Sequence, residues 1–316
     1  MAQPVSTLLL ALASATLKRL GAESDSTEGV LDPCLVALGH ATALRARVSA
    51  ISAAGGHRAA FELCAPLPYL PFSPALHLLE GASEPDVLAE IWQRLEAAWG
   101  IHNRTAIRRD GSSALLLCCQ PYRGTPAPAS QNMMICGALY ALMQGRGYGG
   151  LCVSARSPSG QWRELVGDDA WCCSLPRLEP GVATFRIGWL AGPASCLRQR
   201  ALAHLDRCPD QAPASGCLTA LSEQPELSWT PRRLAGLTGQ SLRTFNRRLQ
   251  ARNLSPGALI RRARMRAACS RLAASSQPLT EIAHELGFSD SAHLSRAVRL
   301  AAGVTPTEYR ELARMR

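Results

Sequence analysis

The stretch "LTEIAHELGFSDSAHLSRAVRLAAGVTP" (residues 279–306) contains two helix-periodic segments separated by a glycine break. From Glu281 to Leu286 the apolar positions are Ile282, Ala283 and Leu286, the inner side of a short helix. Gly287 permits a tight turn, Phe288 can plug a core, and Ser289 or Asp290 can cap the helix that follows. That second helix has an inner face of Leu294, Ala297, Val298 and Ala301, which turns Ser291, Ala292, His293, Ser295, Arg296 and Arg299 outward. A helix pair with a polar outside is either ordinary solvated surface or a surface for a polar ligand, and one pair does not decide between them.

A second copy of the design lies upstream. In "LSWTPRRLAGLTGQSLRTFNRRLQARN" (227–253), Thr230 caps and Pro231 opens a short helix to Leu237 that is expected to bury Leu234 and Leu237. Gly239 supplies the turn and Ser241 the next cap. The following helix has Leu242, Phe245 and Leu249 as its apolar side, with Arg243, Asn246, Arg247 and Gln250 at i, i+3, i+4 and i+7 as another. Arg, Asn and Gln are the side chains that pair bidentately with guanine and adenine edges in the major groove. Between the two units, "SPGALIRRARMRAACSRLAASS" (255–276) starts with a Ser-Pro cap and has helix-forming composition, so it is expected to be a longer connecting helix.

Charge points the same way. Residues 221–316 hold 16 Arg against 7 Asp or Glu, a net of +9, whereas residues 1–220 carry a net of only +1. Lys18 is the one lysine of the 316 residues, so the basic segment is entirely arginine, whose planar fork suits phosphate and guanine. Two repeated units together with this charge favour nucleic acid over a merely solvated surface.

Taken together, these residues resemble the DNA-binding domain of the AraC/XylS family of bacterial transcription regulators. The likeness is carried by "SWTPRRLAGLTGQSLRTFNRRL" (228–249), by Arg264, Ala268 and Leu272 of the connecting helix, by "LTEIAHELGFSDSAHLSRA" (279–297) and by "GVTPTEYR" (303–310). The resemblance implies an all-α domain with two helix-turn-helix motifs, about 231–252 and 280–302, joined by a connecting helix. It implies base-reading residues Arg243, Asn246 and Arg247 in the first motif, and Ser291, Ala292, His293 and Arg296 in the second. It also implies double-stranded promoter DNA and RNA polymerase as partners, a small-molecule effector, a cytoplasmic activator rather than an enzyme, and no cofactor or metal. The family usually has Phe where this chain has Leu294 and Val298, and a basic-aromatic pair at Leu300-Ala301. These departures make the first motif the expected main reader and the second a looser one, since an Arg–guanine pairing is worth about 1 to 3 kcal/mol of discrimination and Ser and Ala offer less.

The remainder reads as an α+β domain. "SEPDVLAEIWQRLEAAWG" (83–100) spaces Leu88, Ile91, Trp92, Leu95 and Trp99 on one helical face, with Ser83 as the expected cap. Strands are expected at 113–119, 150–156 and 183–190, with a helix around 131–144 between the first two. "GRGYGG" (145–150) follows a helix and precedes a strand, the reverse of a phosphate loop, so it is a turn. "DRCPDQAPASG" (206–216) marks the boundary. The expected division is an effector-binding and dimerisation domain over 1–206, a linker over 207–214 and the DNA-binding domain over 215–316. The first is similar to the helix-rich arabinose-binding-type domain of one subgroup of the family, and a homodimer fits. Phe61, Tyr69, Trp92, Trp99, Met133 and Met134 are read as core rather than pocket.

No run of eighteen uncharged apolar residues occurs, so no membrane span is expected. "STLLLALASA" (6–15) lacks a preceding Lys or Arg and reads as a core helix rather than a secretory signal. Twelve scattered cysteines without C-x-x-C spacing read as small buried hydrophobes in a reducing compartment. On a strand, the adjacent pairs Cys118-Cys119 and Cys172-Cys173 would point to opposite faces. The alternative is a cysteine-based redox or metal sensor, or an alkyl-transfer protein, attached to the same DNA-binding domain.

Overall fold

The computed structural model describes residues 13–17, 19–21, 41–67, 73–82, 84–99, 103–121, 127–167, 170–172, 183–192, 229–250 and 255–315. Ser83, Tyr69, Cys173, most of 6–15 and the boundary stretch 206–216 lie outside the described residues. In chain order the labelled elements are α1 (Ala41–Glu62), α2 (Pro74–Gly81), α3 (Pro85–Trp99), β1 (Asn103–Arg109), β2 (Ala114–Pro121), α4 (Ala129–Gly145), β3 (Cys152–Arg156), β4 (Trp162–Gly167), β5 (Ala170–Trp171) and β6 (Thr184–Gly188). They continue with α5 (Pro231–Leu237), α6 (Leu242–Gln250), α7 (Pro256–Ala274), α8 (Leu279–Glu285), α9 (Ser291–Ala302) and α10 (Pro306–Arg314).

The first compact unit is built on an antiparallel sheet of six strands in the order β1-β2-β6-β3-β4-β5. Period-two alternation sets its buried face: Ile107 pairs with Leu117, Leu117 with Phe185, and Ile187 with both Leu115 and Val153. The same alternation buries Cys119 while leaving Cys118 half-exposed. Helix α4 joins β2 to β3 and is buried on every side from Ser130 to Met143, as expected of a helix apolar around most of its circumference. It packs on α1, and the five apolar residues expected on α3 (Leu88, Ile91, Trp92, Leu95, Trp99) are all buried. All three expected strands and the intervening helix are present. β1, β4 and β5 are additional strands: the outward positions of β1 and β4 carry Arg104, Arg108, Trp162, Arg163 and Glu164, which masks their apolar alternation. Such charged outer positions suit strands near a sheet edge.

From Pro231 onward the described residues of the second unit form helices joined by turns. Trp229, Leu234, Ala235, Phe245 and Leu249 close a core with Leu259, Ile260 and Ala263 of α7. Farther along, Leu272, Ile282, Leu286, Leu294, Val298, Tyr309 and Leu312 are buried. Three of its helices begin with the same device, a hydroxyl cap followed by proline: Thr230-Pro231, Ser255-Pro256 and Thr305-Pro306. At the last of these, Thr305 and Glu308 form a reciprocal capping box.

Among the described residues, the helical unit also takes in a short segment from much earlier in the chain. Residues 73–81, and with them α2, belong to the helical unit. Leu76, Leu78 and Leu79 are buried, and α2 packs against α7, α9 and α10. At the seam, the buried Tyr309 hydroxyl of α10 lies 2.8 Å from His77 Nδ1 and donates to the Pro74 carbonyl at 3.2 Å. An apolar two-turn helix gains more by filling that groove than by remaining exposed, about 25 cal/mol per Å² of apolar surface removed from water.

Candidate nucleic-acid interface

Two helix pairs carry the side chains expected to meet DNA, and each is built in the same way. In α5 the Thr230 hydroxyl accepts from the Arg233 amide at 3.3 Å, and the Arg233 guanidinium lies over the Trp229 ring at 5.4 Å. The turn passes through Gly239 at φ +65°, and Ser241 caps α6 by accepting from the Thr244 amide at 3.2 Å. Phe245 and Leu249 anchor α6 inward, at 1% and 2% exposure. Two residues expected in this core are instead exposed, Leu237 at 54% and Leu242 at 38%. A seven-residue helix has one narrow inner stripe, filled here by Leu234 and Ala235, so Leu237 falls outside it, while Leu242 sits in the first turn of α6 and faces out.

Arg243, Asn246, Arg247 and Gln250 line one shallow open groove together with Leu242. Arg243, Arg247 and Gln250 are exposed and Asn246 is half-buried. The structure therefore brings the first set of expected residues together on one face. What it can do chemically is present two guanidinium forks and two amides to a polyanion or to base edges.

In the second pair, Gly287 makes the turn at φ +71°, where the Arg264 guanidinium donates to its carbonyl at 3.2 Å. This contact ties the connecting helix to the turn. Asp290, not Ser289, is the cap of α9: its Oδ1 accepts from the His293 amide at 2.6 Å. That bond holds the Asp290 carboxyl below its ordinary range, and Ser289 adds a smaller pull in the same direction. Leu294 and Val298 are fully buried, whereas Ala297 and Ala301 are only half-buried and Ala302 completes the inner face. Ala292, His293 and Arg296 are exposed; Ser291 is half-buried, and its carbonyl accepts the Ser295 hydroxyl at 2.8 Å. The outward face of α9 is thus less cationic than that of α6.

Two residues not singled out as site residues shape this face. Phe288 is half-buried and meets the His293 ring edge-on at a centroid separation of 5.3 Å, and Ser289 contacts His293 Nδ1. The spacing of "GFSDSAH" (287–293) permits these contacts, but ring orientation cannot be read from it.

Among the described residues the cysteines form no comparable site. Among the described residues no three His, Cys, Asp or Glu side chains are grouped to hold a metal ion. Burial pushes the Cys119 thiol up to about 12 and also raises those of Cys64 and Cys136 well above the ordinary thiol range, so these sulfurs stay protonated and are poor nucleophiles. Nor is any helix among the described residues long and apolar enough to cross a membrane.

Residues 234–312 match the family described as a helix-turn-helix domain. A protein of Streptomyces antibioticus described as an AraC-like transcription regulator is 30% identical over 119 residues, covering 34% of this chain and 39% of that protein. Residues 234–312 are thus a helix-turn-helix DNA-binding domain of the AraC type. A second relative is a helix-turn-helix-type transcriptional regulator of Haemophilus influenzae, 30% identical over 95 residues and covering 30% of this chain and 32% of that one. The chain thus spans between about a third and two fifths of the curated relatives it matches. The crystal structure of the transcriptional regulator CdpR from Pseudomonas aeruginosa aligns over 95% of this chain and 97% of that one, at 14% identity and a TM-score of 0.35.

Proposed function

We propose that the chain is a sequence-specific transcription regulator that binds promoter DNA through two helix-turn-helix motifs, α5–α6 and α8–α9, with α6 as the main reader. One observation carries this reading: Arg243, Asn246, Arg247 and Gln250 line a single exposed groove on a helix anchored by the buried Phe245 and Leu249. Guanidinium and amide groups fixed in this way match the major-groove edges of guanine and adenine. The net charge of +9 in residues 221–316 adds the sequence-independent attraction to phosphate that steers such a helix onto duplex DNA.

In this reading α9, with Ser291, Ala292, His293 and Arg296, holds the register of the protein on DNA and reads bases more loosely. The unit around the six-stranded sheet takes the effector and pairs subunits, and activation proceeds through RNA polymerase; the support for these roles is the family resemblance. The deciding experiment is selection of binding sites from random duplex DNA by the full chain, by Arg243→Ala and by Arg247→Ala. The native chain is expected to enrich a defined site, and each variant to lose preference at one part of it. Unchanged preference in both variants would sink the assignment of α6. Native mass spectrometry of the protein purified from its own host tests the effector by looking for a co-purified small molecule.

A further inference from the structure

The environment of His293 determines which of its ring nitrogens faces the solvent with a proton. The Ser289 backbone N–H donates to His293 Nδ1 at 3.4 Å, and the Ser289 hydroxyl lies 3.1 Å from the same nitrogen. A backbone amide can only donate, so Nδ1 must hold its lone pair toward Ser289. In the neutral imidazole the proton is then on Nε2. The ring is also held in place: its own backbone amide is bound by the Asp290 cap at 2.6 Å, and Phe288 packs edge-on at 5.3 Å. The side chain nevertheless remains exposed at the start of α9.

From this we infer that His293 serves the second motif as a preoriented Nε2–H donor to a hydrogen-bond acceptor on DNA, a phosphate oxygen or a purine N7, with Ser289 as its positioning residue. The inference rests on the DNA-binding reading of α9 and adds its chemistry. Ser291 and Ala292 have little to offer a base, so of the four residues expected to read DNA in the second motif Arg296 and this neutral donor remain. A neutral donor gives direction without the strong salt dependence of a cation, because no counterion is released in pairing it. An already fixed ring also loses less rotamer freedom on binding than a free one.

The inference is tested in two stages on the full chain. The ¹⁵N chemical shifts of His293, recorded without DNA at a pH where the ring is neutral, are expected to show a protonated Nε2 and an unprotonated Nδ1; the opposite tautomer overturns the inference. The second stage uses a duplex obtained by site selection with the native chain. His293→Ala is expected to weaken binding about five- to tenfold. His293→Gln, whose amide nitrogen reaches the position of Nε2, is expected to stay within about threefold of native, and His293→Asn, whose amide reaches only the position of Nδ1, to be as weak as the alanine variant.

Duplexes with single methylphosphonate or 7-deazapurine substitutions then separate the two acceptors. The position at which the native chain loses its advantage over His293→Ala identifies a phosphate in the first series or a purine N7 in the second. No such position in either series, or an alanine variant that binds like the native chain, overturns the inference. Failure of the native chain to bind any duplex would instead refute the proposed function, while leaving the tautomer result intact.

Discussion

Tyr309 and His77, 232 positions apart in the chain, share a hydrogen bond of 2.8 Å, and the same tyrosine hydroxyl donates to the Pro74 carbonyl at 3.2 Å. A single buried oxygen thus joins α2 to α10 inside the helical unit. Tyr309→Phe keeps the ring and removes that oxygen, leaving the Pro74 carbonyl without this donor, at a cost of about 1 to 3 kcal/mol. The expected outcome is faster hydrogen exchange in α2 and α10 of the full chain, with DNA sequence preference unchanged because neither element carries the base-reading residues.

The two glycine turns make a matched pair. Gly239 and Gly287 both have positive φ, +65° and +71°, but a Cβ at Gly239 would meet nothing within 4 Å while one at Gly287 would lie 3.3 Å from the Arg264 guanidinium. Gly239→Ala should therefore cost only the left-handed backbone strain, about 1 kcal/mol. Gly287→Ala should cost more, since it also crowds the bond from Arg264 to the Gly287 carbonyl. Hydrogen exchange in 229–250 and 279–302 checks the order; equal effects would contradict it.

Buried Glu96 predicts a pH dependence. Its Oε2 accepts from the Thr105 amide at 2.7 Å and its Oε1 lies 2.8 Å from the Thr105 hydroxyl. Burial raises its pKa to about 7 from 4.5, against the opposing pull of the Thr105 bonds and Arg104. The folded state therefore holds a proton that the unfolded chain releases, and the stabilisation is complete below about pH 4.5 and lost as pH rises through about 7. Its size is a few kcal/mol. Glu96→Gln imitates the neutral acid, with its amide nitrogen toward the threonine hydroxyl, so it should match the native chain near pH 5 and exceed it near pH 8. Urea unfolding across this range measures the difference.

Salt separates the roles of the two motifs. Arg296→Ala should weaken binding to all duplexes similarly and reduce the slope of log affinity against log salt by about 1, as expected for one lost phosphate contact. Arg243→Ala should also relax the preferred sequence. Fluorescence titrations at several salt concentrations, with selected and scrambled duplexes, distinguish the two; a preference relaxed as far by Arg296→Ala as by Arg243→Ala would make α9 as strict a reader as α6.

Local signals account for what could be read before the fold was known. Thr230-Pro231, Ser255-Pro256 and Gly287 mark helix starts and a turn within a few residues of sequence, and the helices lie where these residues place them. The polar stripe of α6 was readable because Phe245 and Leu249 anchor its opposite side. Other features depend on distant partners. β1 and β4 turn arginines and a tryptophan outward, so their pattern does not alternate cleanly until the neighbouring strands are known. Leu237 and Leu242 fit an apolar spacing, yet Leu234 and Ala235 already fill the inner side of α5. The order of ring contacts around His293 depends on a rotamer, which no spacing encodes.

The place of α2 in the helical unit has a consequence for synthesis. The ribosome makes His77 232 residues before Tyr309, and at 5 to 20 residues per second the wait is on the order of ten to fifty seconds. Throughout that interval Leu76, Leu78 and Leu79 have been made but the groove that will bury them has not. The nascent chain therefore carries a sticky apolar segment well ahead of its partner, a natural handle for a chaperone, and the DNA-reading unit closes only when an early piece of the protein meets a late one.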